Sequence, residues 1–207
     1  TKDDLSTVAA YLKPASAAFK KDVYLSLWRE STAAGALHMA KYLSKNYLLP
    51  VATKLNDTEL VAHIKKYESL LKGSTAPDFT WQNEGGPERR LSGISGAQNY
   101  VLVFWSSSCS HCLKEMPQLQ KLMNAQRAGK YKVVAVGVEE DGYAWKNETT
   151  RYPKFEHVLT LGRWENEIVR MYDVAHTPTY FVLDANKTIV AKPDDFDGLI
   201  DYVEANK

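Results

Sequence analysis

Apolar residues recur at helical spacing through the first third of the chain. Leu5, Val8 and Leu12 make one stripe, stopped by Pro14. Phe19, Val23 and Leu27, flanked by Tyr24 and Trp28, make the next. Leu37, Ala40, Leu43 and Tyr47 follow, and Pro50 is expected to end that segment. Leu60, Ile64, Tyr67 and Leu71 form a fourth stripe. Asn56 and Glu59 stand at capping-box spacing ahead of it. Strand-like alternation is almost absent here, so residues 1–72 read as a small all-α subdomain. The plainest role for its stripes is burial against one another and the second half. A partner-docking or dimerising surface is the alternative. His38 and His63 lie on helical faces without a second ligand nearby and read as structural.

The texture changes at Gly73-Ser74-Thr75-Ala76-Pro77, which reads as a linker, and residues 73–207 form the second domain. Phe79 and Trp81 begin a short extended segment, and Glu84-Gly85-Gly86-Pro87 signals a turn. A loop, residues 91–96, leads to a buried strand over residues 100–105. A helix is predicted over 109–127, with Leu113, Met116, Leu119 or Gln120, and Met123 on one side and Pro117 inside, where it is expected to kink the helix. Tyr131 to Val138 is a continuous apolar run, as expected of a strand covered on both faces. Helices follow at 142–151 and 165–172, with a short strand at 157–159 between them. Strands at 179–183 and 188–191 flank a turn, and a helix over 195–205 closes the chain. Strands that alternate with helices and then form a hairpin indicate an α/β domain with a mixed sheet.

Composition narrows the class. Lys and Arg nearly balance Asp and Glu at a net charge of +1, so nothing points to nucleic acid. No apolar run approaches the roughly 20 residues of a membrane-spanning helix. The chain starts at Thr1 with no signal-peptide pattern, which a trimmed or mature form would explain.

Two cysteines are too few for a disulfide framework. They stand three apart, as Cys109-Ser110-His111-Cys112, directly after the apolar run that ends in Trp105. A structural zinc site takes four ligands, and the sequence shows no second half for one, so the metal expectation is none. The thiolate is the nucleophile in disulfide exchange. Three features favour it at Cys109: a helix N-terminus with free N–H groups, a second sulfur one turn away, and His111 as a nearby charge or hydrogen-bond donor. Cys109 at the helix tip is then the attacker and Cys112 the resolver. No other cofactor is expected beyond this redox-active pair.

Four stretches carry a resemblance. Ala76-Pro77-Asp78-Phe79, the strand 101–105 with Cys109-Ser110-His111-Cys112, Lys114-Glu115-Met116-Pro117, and the segment from Val174 to Asp184 together resemble the TlpA/ResA-type thiol-disulfide oxidoreductases of bacterial envelopes. The resemblance spans nearly two-thirds of the chain and implies a thioredoxin fold, a mixed central sheet flanked by helices. It makes Pro178 a cis-proline that sets Thr177 against the sulfurs and lets the Thr177 backbone pair with an extended substrate. It makes Glu115 the active-site glutamate that tunes the cysteines, and it places Trp105 beneath the motif, with Ser110 and His111 as support. It further implies protein disulfides and thiols as substrates and a membrane or envelope thiol donor. The location it implies is the periplasm or another extracytoplasmic space, with a lipid or membrane anchor on a removed N-terminal segment as one form.

Departures from the pattern matter as well. Thioredoxin's buried aspartate position is Val103, so any buried proton relay here is expected from Glu115 or His111. The common Trp before the first cysteine is Ser108. His111 resembles the oxidising DsbA-type motif, whereas the family implies a reductant, and the direction of electron flow stays open. Two other chemistries compete. One is Sco-like copper binding by Cys109, Cys112 and His176. The other is thiol peroxidase chemistry, for which Ser106 stands three residues before Cys109.

Overall fold

In the computed structural model, which describes residues 1–206, the chain divides into two compact units, Thr1–Glu68 and Ser69–Lys207. The sequence places its change of texture at 72/73. The contacts divide earlier, and Leu70 is buried in the core of the second unit.

The first unit consists of α1 (Lys2–Tyr11), α2 (Ala17–Ala33), α3 (Leu37–Leu43), α4 (Leu49–Lys54) and α5 (Thr58–Ser69, whose last residue lies past the boundary). Leu5, Tyr24, Trp28, Ala40, Leu43, Leu48 and Ile64 close a core of their own. Three details correct the sequence reading. On α2 the buried face runs through Tyr24 and Trp28, while Phe19 is 55% exposed. Tyr24 and Trp28 are 4% and 3% exposed and bring the large aromatic surface of the helix into the core. Pro50 does not end its segment. A π-helical turn, Ser44–Leu48, joins α3 to α4, and Pro50 falls in the first turn of α4. Proline cannot donate to the carbonyl four residues back, and the widened turn directly before it accommodates the ring. Lastly, Asp57 caps α5 by accepting from the Leu60 amide at 3.1 Å. Asn56 instead takes a positive φ of 55°, so the capping box expected from Asn56 and Glu59 is not formed. Leu71 lies beyond the end of α5.

The second unit is built on a five-stranded mixed sheet in the order β5-β4-β3-β6-β7. Its strands are β3 (Asn99–Trp105), β4 (Tyr131–Glu139), β5 (Glu156–Leu161), β6 (Thr179–Asp184) and β7 (Ile189–Ala191), preceded by a small hairpin of β1 (Thr80–Trp81) and β2 (Arg89–Arg90). The central strand β3 pairs in parallel with β4 and antiparallel with β6. Its side chains alternate between two cores. Tyr100, Leu102 and Phe104 face one, with Val134, Val136, Phe181 and Tyr172. Val101, Val103 and Trp105 face the other, with Cys112, Met116, Leu119, Tyr180 and Leu199. Burial on both faces is why these strands read as unbroken apolar runs.

Four helices cover the sheet: α6 (Ser110–Asn124), α7 (Tyr143–Thr149), α8 (Glu167–Met171) and α9 (Phe196–Ala205). Helix α6 continues through Pro117, and its buried residues are Cys112, Met116 and Leu119. Leu113, expected on that face, is exposed, because Cys112 takes the inward position. Residues 73–77 are not a free linker. The Gly73 and Ala76 amides donate to the Ile189 and Lys187 carbonyls, both at 2.8 Å, and Thr75 bridges Thr188. This stretch therefore extends the β7 edge of the sheet, which satisfies backbone groups a linker would leave to water. The Asp78 carboxylate then accepts from the Ser92 amide and hydroxyl, which ties this segment to the loop before β3.

Candidate active site

The site lies where the carboxyl end of β3 hands the chain to α6. Cys109 is the N-cap of α6 with an extended backbone. It is non-helical because its Sγ accepts the Cys112 amide at 3.2 Å, the position a capping oxygen usually fills. Its own amide donates to the Ser106 carbonyl at 3.1 Å. The Cys112 amide thus points at this sulfur from the first turn of the helix, at the positive end of its dipole. Both cysteines are free thiols. Cys109 is half-buried, whereas Cys112 is fully buried one turn along. Burial, then the hydrogen bond with Cys109, pushes the Cys112 thiol up to about 12, although the Ser106 backbone amide and the Thr177 side chain act the other way.

From the opposite side comes the segment before β6. The Thr177–Pro178 peptide bond is cis. The Thr177 carbonyl accepts from the Cys109 thiol at 3.4 Å. Trp105 is fully buried in the same core as Cys112, its ring edge-on to Tyr152. Ser110 and His111 lie exposed on the first turn of α6. The structure therefore gathers Cys109, Cys112, Trp105, Thr177 and Pro178 around one point, with Ser110 and His111 at its rim.

Glu115 is half-buried on the next turn of α6, and its Oε2 accepts from the Tyr180 hydroxyl at 2.7 Å. Tyr180 is 1% exposed. Burial, then the bond to Glu115, raises its pKa well above the ordinary tyrosine range. It is thus a neutral donor fixed on the carboxylate. In the β3–β6 register Tyr180 stands opposite Val103, so it occupies the level at which thioredoxin keeps its buried acid. Only an aromatic residue on an apolar strand is visible in the sequence, and nothing there marked Tyr180.

A second group joins the site from the end of β4. Glu139, 4% exposed, accepts from the Ser107 amide at 2.6 Å, the Ser107 hydroxyl at 3.0 Å and the Ser106 hydroxyl at 3.2 Å. Burial raises its pKa above the ordinary carboxylate value, against the lowering pull of Ser107, Ser106 and Arg163. An acid at the end of a strand parallel to β3 was the available signal. Trp105 pairs with Gly137, so two residues further on Ser107 meets Glu139. Ser106 spends its hydroxyl on Glu139 and Ser108, and not on Cys109 as peroxidase chemistry would need.

His176 is exposed, and its carbonyl accepts from the Thr179 hydroxyl at 2.7 Å. Among the described residues no three His, Cys, Asp or Glu side chains are placed to hold a metal ion. Cys109, Cys112 and His176 therefore do not assemble as a copper set.

A mixed sheet of this strand order, with a Cys-x-x-Cys at a strand-to-helix junction and a cis-proline across from it, defines a protein of the thioredoxin fold. The AhpC/TSA family profile matches residues 72–192, more than half of the chain, and the chain belongs to that family. It is 27% identical over 144 residues to the thiol-disulfide oxidoreductase ResA of Bacillus cereus, covering 69% of this chain and 81% of that protein. With the ResA of Bacillus subtilis it shares 29% over 150 residues, covering 72% and 82%. The thioredoxin domain of a thiol-disulfide oxidoreductase from Bacteroides vulgatus superimposes with a TM-score of 0.57 at 27% identity, over 67% of this chain and 99% of that one.

Proposed function

We propose that the protein is a thiol-disulfide oxidoreductase that exchanges the Cys109–Cys112 disulfide with protein thiols. The observation that carries this reading is the pairing of an accessible sulfur at a helix N-cap with a buried sulfur one turn behind it. The names of the relatives point the same way. Working as a reductant, the Cys109 thiolate attacks one sulfur of a substrate disulfide, and the other substrate sulfur leaves as a thiolate. Cys112 then loses its proton and attacks Cys109 in the mixed disulfide. The second substrate thiolate leaves, and the protein retains the disulfide. Two electrons pass to the substrate. The high pKa of Cys112 keeps it protonated until this step, which demands a proton acceptor, and Glu115 on the same helix takes that role. The Thr177 backbone, already bonded to Cys109, offers a strand-like edge for an extended substrate.

Several finer points belong to the same reading. Electrons come from a membrane or envelope thiol donor, and the protein works outside the cytoplasm. No cofactor is needed beyond the sulfur pair. The expected direction is reduction. His111, which resembles the DsbA-type motif, favours the opposite, because whatever stabilises the thiolate stabilises the reduced form. The test is turnover of insulin disulfides by the reduced protein, together with the potential of the pair. A value near thioredoxin's, about −270 mV, supports the reductant, and one near DsbA's, about −120 mV, turns it into an oxidase. Absence of exchange with any disulfide would overturn the reading altogether.

A further inference from the structure

The turn that delivers Cys109, residues 106–108, has a polar anchor behind it. Glu139 is the last residue of β4, and its carboxylate takes three hydrogen bonds from Ser106 and Ser107. The network continues toward the sulfur. Ser106 Oγ accepts the Ser108 amide at 3.2 Å and lies 3.0 Å from the Ser108 hydroxyl. Since Ser106 gives its one proton to Glu139, Ser108 is the donor in that pair. The chain of donors thus runs Ser108 to Ser106 to Glu139. Ser106 also presents its carbonyl to the Cys109 amide at 3.1 Å, while its own amide favours the ionised Cys112 sulfur. The Glu139 network therefore includes Ser106, the residue whose carbonyl meets the Cys109 amide.

We propose that Glu139 is a positioning residue for the Cys109–Cys112 pair: by tethering the 106–108 turn it holds Cys109 at the α6 N-terminus in its reactive geometry. The inference rests on the thiol-disulfide reading of the site. A buried carboxylate is a costly way to secure a loop that apolar packing could cover. Here the cost is offset by bonds that aim a backbone turn at two sulfurs. The tether works through its acceptors and not through its charge. In Glu139→Gln the amide oxygen still accepts the Ser107 amide, and the amide N–H groups meet Ser hydroxyls that can turn to accept.

The test is the rate at which iodoacetamide alkylates Cys109 at neutral pH, with the glutathione equilibrium of the pair as a second readout. Neither needs a protein substrate, so a failure of protein-disulfide turnover leaves the test intact. Glu139→Ala is expected to slow alkylation about tenfold and to shift the glutathione equilibrium toward the disulfide by a similar factor. Glu139→Gln should stay within about threefold of wild type. Should Glu139→Ala fail to fold, Ser106→Ala carries the test, with about a fivefold slowing expected from loss of the link between Ser108 and Glu139. Wild-type rates and equilibria in folded Glu139→Ala or Ser106→Ala would overturn the proposal. So would a Glu139→Gln protein as slow as Glu139→Ala, because charge and not the tether would then be at work.

Discussion

At the scale of the residue, the two cysteines differ by burial more than by chemistry. Cys109 meets solvent and Cys112 does not. The Cys112→Ser protein is therefore expected to accumulate mixed disulfides on Cys109, read by non-reducing gels and mass spectrometry. A protein that traps only when Cys109 is replaced would reverse the two roles. The buried thiol also sets a pH dependence. Its pKa is about 12 in the fold against an ordinary 9.0. Below the ordinary value both folded and unfolded chains hold the proton. Above it the unfolded chain releases a proton that the folded chain keeps, so the reduced protein loses stability as pH rises from 9 toward 12. The slope is about 1.4 kcal/mol per pH unit. Denaturant melts of reduced wild type and Cys112→Ala across this range should differ by that slope, and parallel curves would remove the argument. Tyr180→Phe leaves Glu115 Oε2 without its donor. A loss of about 1–3 kcal/mol is expected, with slower release of mixed disulfides from Cys109 if Glu115 takes the Cys112 proton. The sulfur pair could be read from three-residue spacing alone. Glu139 and Tyr180 could not, because their partners lie 32 and 65 positions away in the chain.

At the scale of the element, two features of β4 matter. The strand brings Glu139 beside the turn, and it leaves Gly137 on the strand face against which Trp145 of α7 packs. A Cβ at Gly137 would stand 2.3 Å from Trp145 Nε1 and 2.5 Å from Cδ1. Trp145 is 5% exposed on α7 and has little room to yield. Gly137→Ala should cost about 2–3 kcal/mol, seen as a lower urea midpoint at unchanged m-value. An unchanged midpoint would mean that the ring moves freely. Element types were legible because period-2 and period-3.6 patterns are local. Boundaries were less so. Pro50 looked like a stop, yet a π turn lets the helix pass it. Asn56 looked like a cap, and the neighbouring Asp57 does that work.

At the scale of the whole molecule, each unit closes a core of its own. Leu43 is fully buried in the helical one. Leu43→Ala should destabilise that unit by about 2–5 kcal/mol while Cys109 keeps its alkylation rate. A parallel loss of Cys109 reactivity would show that the helical unit shapes the site. Nothing in the helical sequence names its purpose, since amphipathic stripes serve self-burial and partner binding alike.

What the amino-acid order determined by itself is what depends on near neighbours: helices and strands, the strand-to-helix junction, and two sulfurs one turn apart on it. Tertiary structure alone decided that Tyr180 holds Glu115 and that Glu139 anchors the turn. The reason is physical. Local patterns follow from backbone geometry and side-chain periodicity, whereas burial, hydrogen-bond partners and the pKa values they set arise only when strands distant in sequence come into register.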